Sequence, residues 1–204
     1  MLARRTALLL GGLTLYGLSL TLLLRADLGL DPWDVFHQGL AETLGLSRGR
    51  TIVLTRFAVL ALWIPLRERP GVGTVANAVL VGLGVEVFSA LIPDADPTWL
   101  RWVLLALGVI GNGVATGMYI GAGMGPGPRD GLMTGIARRR GSIRVVRTAI
   151  EITVLVTGIV LGGTFGTGTV VYAVAIGPLT QVFVPIFTRL ADETPVRAAV
   201  RSTG

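Results

Sequence analysis

Long apolar runs separated by short polar loops set the rhythm of this chain. Thr6 to Leu24, Trp102 to Pro128 and Ile152 to Thr188 contain no Asp, Glu, Lys or Arg, and a helix needs about 20 apolar residues to cross the hydrocarbon. The last run is long enough for two crossings. The opening stretch, two arginines before an apolar run, has the outline of a cleaved leader. It recurs later in the chain as an internal span, so it is read as a span itself.

The recurrence extends over each half. A shift of 96 pairs Arg5–Gly45 with Arg101–Gly141 without a gap, and 12 of 41 positions are identical, among them Gly12/Gly108, Gly29/Gly125, Pro32/Pro128 and Asp34/Asp130. A shift of 95 pairs GVGTVANAVLVGLGVEVF (Gly71–Phe88) with GTGTVVYAVAIGPLTQVF (Gly166–Phe183), with nine of 18 identical. Shared apolar composition does not align Gly, Pro, Asp and Thr in this way. Two membrane repeats are therefore expected, 1–95 and 96–190, followed by a cytoplasmic tail at 191–204.

The pattern predicts spans at 6–24, 51–66 and 73–92 in the first unit, with a Gly-rich turn at 25–31 and a short helix at 32–46. The second unit has spans at 102–121, 146–163 and 169–188, a turn at 122–127 and a short helix at 128–140. The short helix at 32–46 would extend about 22 Å, less than a hydrocarbon core of about 30 Å. It carries Asp34, His37, Gln38 and Glu42, and its counterpart carries Arg138, Arg139 and Arg140. Both are expected to re-enter or to lie at the interface. Three crossings per unit turn the second copy over. The expected fold is thus all-α transmembrane, about six spans and two short re-entrant or interfacial helices in two three-span repeats of inverted topology. If the short helices spanned instead, the chain would have eight crossings and parallel repeats.

Composition agrees with a lipid-embedded chain: 51% of the 204 residues are hydrophobic and 15% charged, with a mean hydropathy of +0.70. The net charge of +6 comes from arginines in short loops, where they orient spans; nucleic acid is not an expected partner. Counting Arg4, Arg5, Arg67, Arg69, Arg129, Arg138, Arg139, Arg140, Arg144, Arg147, Arg189, Arg197 and Arg201 inside, against Arg25, Arg48, Arg50 and Arg101 outside, puts both termini in the cytoplasm. The same count holds for eight crossings, so it leaves the parity open. There is no cysteine and one histidine, His37, so no metal centre or cofactor is expected within one chain.

The candidate chemistry lies first in the paired turns. DPWD (Asp31–Asp34) and GPRD (Gly127–Asp130) each place a capping residue before a Pro at the first helical position, and a helix N-terminus offers free N–H groups to an anion. Asp31, Asp34, Gly127, Arg129 and Asp130 are the substrate-binding candidates. The competing reading is that Asp34 and Asp130 satisfy local N–H groups. Polar residues inside spans are costly, which adds Arg56, Asn77, Glu86, Asn112, Glu151 and Gln181; in this second set Arg147 and Glu151 are four apart and can pair locally. The competing reading is snorkelling and stabilisation near span ends. The stripe Gly113, Gly117, Gly121 and Gly125 is assigned to close helix packing.

LGLDPWDVFHQGL, GPRDGL, RVVRTAIE and LGGTFGTGTVVYAVAIGPLTQ resemble the YczE/YitT family of bacterial integral membrane proteins, over Thr6 to about Leu190. The resemblance implies a small bacterial cytoplasmic (inner) membrane protein of five or six spans and implies no substrate. The first unit departs from the second at Trp33, where the other has Arg129, so the two turns are not equivalent.

Architecture and intramembrane polar residues lead to a transporter or permease for a small solute, with a central site between the halves. A substrate-capturing subunit of a larger transporter is the first alternative. A membrane partner or regulator acting through the loop Arg138–Arg147, on a second copy or another membrane protein, is the second. No catalytic constellation is present, and an enzyme is not expected.

Overall fold

The structure is a computed structural model that describes residues 1–192; the expected tail lies outside the described residues from 193 onward, and its first two positions belong to the last helix. The described residues form nine helices: α1 (Leu2–Ala26), α2 (Pro32–Leu44), α3 (Arg48–Ala61), α4 (Trp63–Leu66), α5 (Val72–Leu91), α6 (Thr98–Gly121), α7 (Pro128–Arg140), α8 (Ile143–Val160) and α9 (Thr167–Asp192). Five segments are long and apolar enough to cross a membrane: α1, α3 with α4, α5, α6 and α9. The sixth expected span is α8, of 18 residues, whose Arg144, Arg147 and Glu151 lower its apolar character.

Local sequence explains the boundaries. Pro32 and Pro128 open α2 and α7 at the position where a missing N–H costs nothing. Gly45, at φ 64°, ends α2 in the left-handed conformation that glycine adopts without strain. At 13 residues each, α2 and α7 are about 20 Å long. The span expected at 51–66 is divided: Pro65 cannot donate to the Ala61 carbonyl, and the helix breaks at Leu62 between α3 and α4.

The centre of the fold is the antiparallel pair α1 and α6. A methyl at Gly12 would stand 2.8 to 3.1 Å from atoms of Ala115, Met118 and Tyr119, and one at Gly108 would meet Leu23 at 2.8 Å and Ser19 at 3.1 Å. Contacts move down α6 as they move up α1. The ends are fastened by Arg101, which donates to the Ala26 carbonyl at 2.8 Å and to the Asp27 carbonyl at 2.9 Å. Helix α9 covers the glycine stripe of α6, with Leu179 on Gly113, Phe183 on Gly117 and Phe187 on Gly121.

Two backbone junctions tie the halves together crosswise. Gly73 N donates to Met124 O at 2.8 Å, and Gly168 N donates to Leu28 O at 2.6 Å. Beside them Gly71 N donates to Thr74 Oγ1 at 3.1 Å and Gly166 N to Thr169 Oγ1 at 3.3 Å. Each Gly-rich turn thus rests on the start of the third long helix of the other half. Gly29 and Gly125, at φ 111° and 123°, let the backbones meet: a methyl at Gly29 would lie 2.6 Å from Gly166 N, and one at Gly125 3.1 Å from the Gly71 Cα.

Candidate functional site

The crosswise junctions carry the N-termini of α2 and α7 into the middle of the fold. Asp31, 1% exposed, caps α2 by accepting Asp34 N–H on Oδ1 at 2.9 Å. Its other oxygen faces Arg129 at the start of α7, whose Nη1 donates to Asp31 Oδ2 at 3.3 Å while Nη2 donates to the Tyr16 hydroxyl at 2.6 Å. The short helices therefore meet through an ion pair between the halves. A guanidinium has five N–H donors, so Arg129, with 28% of its side chain exposed, keeps donor capacity beyond these two bonds.

The other charges are arranged around this pair. Tyr119 donates its hydroxyl to Asp130 Oδ2 at 2.7 Å, and His37 Nδ1 lies 3.0 Å from Asp34 Oδ1. Asp34 and Asp130 thus hold side chains, and the expected local capping belongs to Asp31 alone. Burial, and after it the Asp31 carboxylate, push the Asp34 carboxyl above its ordinary range against the opposing pull of His37 and Arg129. Arg56 bonds Asn77 through its carbonyl, at 2.8 Å, and its side-chain oxygen, and lies 5.8 Å from the Tyr16 ring centroid, within cation–π range. The Tyr16 and Tyr119 rings meet edge to face at 6.0 Å.

These groups enclose a cavity of about 20 Å³, room for about one water molecule. Among the described residues, Trp33 Nε1, His37 Nε2 and Thr55 Oγ1 are buried without a hydrogen-bond partner, and all three residues line it. A larger cavity of about 460 Å³ adjoins it through Tyr119, Arg129 and Asp130, and is lined further by Arg147 of α8 and by Thr180 and Gln181 of α9. An apolar groove of about 640 Å³ lies between α2, α3 and α8 and is lined by residues such as Leu40, Leu54 and Ile150; among the described residues no charged side chain lines it.

Of the sequence candidates, Asp31, Asp34, Gly127, Arg129, Asp130, Arg56 and Asn77 come together at the centre. Asn112 is buried nearby and accepts from Tyr172 at 3.1 Å. Glu151 stays with Arg147 at 2.9 Å, and Gln181 borders the larger cavity. Glu86 is elsewhere, exposed beside Arg25 and Arg48. Tyr16, Tyr119, Trp33, His37 and Thr55 were not expected in the site. Hydroxyl-bearing rings within apolar spans were the available signal, and composition reads them as core. Among the described residues no group of three His, Cys, Asp or Glu side chains is placed to hold a metal.

The chain matches known proteins over nearly all its length. Residues 3–185 match the family of unknown function DUF6198. An uncharacterized protein of Haemophilus influenzae is 36% identical over 185 residues, covering 90% of this chain and 85% of that one. The uncharacterized membrane protein YczE of Bacillus subtilis is 32% identical over 192 residues, covering 92% and 89%. YyaS of the same organism is 26% identical over 185 residues, covering 87% and 91%. No solved structure matches. With five membrane-length apolar helices and these relatives, the chain is an integral membrane protein that belongs to the DUF6198 family and is related to YczE.

Proposed function

We propose that the protein moves a small solute across the bacterial cytoplasmic membrane, through a site formed where the two short helices meet. The observation that carries this is the Arg129–Asp31 pair, a buried carboxylate and a partly buried guanidinium between helix N-termini from opposite halves. A charge pair withdrawn from water costs several kcal/mol per ion, of that order, and ionisable groups within membrane proteins mark solute or ion paths by default. Two units of inverted orientation account for the antiparallel α1 and α6 and for the crosswise junctions, with α8 as the sixth span and both termini cytoplasmic. Broken helices meeting at the interface of inverted repeats are a recurrent transporter site.

The partner or regulator alternative draws less support. Arg138 donates to Glu68 at 2.9 Å and Arg139 to the Pro65 carbonyl at 3.0 Å, so these two arginines of the loop are engaged within the chain.

The test is uptake by proteoliposomes across a panel of labelled metabolites, comparing the natural protein with Asp130→Asn and Arg56→Gln variants that retain their folded helix content. Saturable uptake lost in the variants is expected. Uptake of no panel member, or equal uptake by folded variants, overturns the proposal.

A further inference from the structure

Gly82 in α5 and Gly177 in α9 are matched by the shift of 95, yet they are packed differently. A methyl at Gly82 would stand 2.6 Å from the Gly49 carbonyl of α3, whereas one at Gly177 would meet nothing within 4 Å beyond its chain neighbours and its own helix backbone. Helix α3 is closed onto α5, and the matching approach of α8 to α9 is open there. The 460 Å³ cavity lies between Arg147 of α8 and Ile176, Thr180 and Gln181 of α9, and reaches Arg129 of the central ion pair. Its charged lining is Arg129, Arg147 and Asp130. Asp130 is held by Tyr119, and Arg147 by Glu151 on a rim where their side chains are 59% and 33% exposed. Arg129 has N–H donors to spare, and its bond to Asp31, at 3.3 Å, is longer than the roughly 2.7–2.9 Å of a strong charge-assisted bond.

We infer that the cleft between α8 and α9 is a vestibule for a small organic anion, met first by Arg147 and received by Arg129, with Thr180 and Gln181 beside it. This rests on the proposed transport role, whose topology turns the cleft toward the cytoplasm. An anion carrying a carboxylate matches the guanidinium fork, replaces Glu151 or Asp31 as its partner, and enters where two guanidiniums outnumber the one lining carboxylate and so raise counter-ion concentration.

The absence of cysteine makes a direct test available. Thr180→Cys is introduced into the full chain and its reaction with two small methanethiosulfonates, one sulfonated and one trimethylammonium, is timed at fixed ionic strength, each normalised to a free thiol. A preference for the anionic reagent of about tenfold is expected, falling in Arg147→Gln, rising in Glu151→Gln, and weakened by succinate. Val85→Cys, at the matching buried position, should not react with either reagent. Equal rates, a cationic preference, or a preference unaltered by Arg147→Gln overturns the inference, as does an unreactive Thr180→Cys in folded protein. Anion preference without uptake of any solute overturns the transport proposal and leaves the vestibule standing; uptake with no such preference does the reverse.

Discussion

Arg129 Nη1 and Asp31 Oδ2 meet at 3.3 Å across 98 residues of sequence, joining the first turn of α7 to the cap of α2. Removing Arg129 strands the buried Asp31 carboxylate, so Arg129→Gln should destabilise the protein by about 3–5 kcal/mol; Asp31→Asn should cost less, because Arg129 is partly exposed and keeps its bond to Tyr16. The double variant should cost less than the sum, with a coupling of about 0.5–3 kcal/mol. Unfolding followed by circular dichroism in mixed micelles measures the cycle, and strict additivity would show the pair to be energetically idle.

Tyr119 supports Asp130 through one hydroxyl. Tyr119→Phe keeps the ring edge against Tyr16 and leaves the carboxylate without that donor, a loss of about 1–3 kcal/mol. The same unfolding assay checks it, with Tyr119→Phe combined with Asp130→Asn expected to recover part of the loss.

Glycines matched in sequence should respond differently to the same change. Gly82→Ala forces a methyl against the Gly49 carbonyl and should cost about 1–3 kcal/mol. Gly177→Ala meets no other helix but sets a methyl before Pro178, where the helical conformation is disfavoured, so its loss should be smaller than that of Gly82→Ala rather than a gain. Equal losses in thermal denaturation would mean that α9 is covered as closely as α5.

The proposed inverted arrangement has a topological signature. Reporters fused after Leu46 and after Gly141 should report opposite faces of the membrane, by alkaline phosphatase and green fluorescent protein activity. Both on the cytoplasmic face would require the short helices to span.

The five long apolar segments and both short helices were legible because apolar length, Pro and Gly act locally. Pro32 and Pro128 open helices wherever they stand, and their repetition marked the turns. Partner choice was not legible in that way. Arg129 finds Asp31 only because each turn docks on the opposite half, a fact that no periodicity contains. Glu86 shows the converse: a carboxylate in an apolar helix drew attention by type, but its face of α5 points away from the centre, toward Arg25 and Arg48. The break at Leu62 followed from Pro65, yet the apolar run around it reads as one continuous span.

That break places Trp63 against α7. Its Nε1 donates to the Pro128 carbonyl at 3.0 Å, the ring covers Gly131, and the side chain is buried, while Trp99 and Trp102 are 68% and 46% exposed. An indole bonded to the opening residue of α7 is a built-in optical gauge. Any movement of that helix away from the ion pair must alter the hydrogen bond, the ring's surroundings and hence its ultraviolet emission, without an added label.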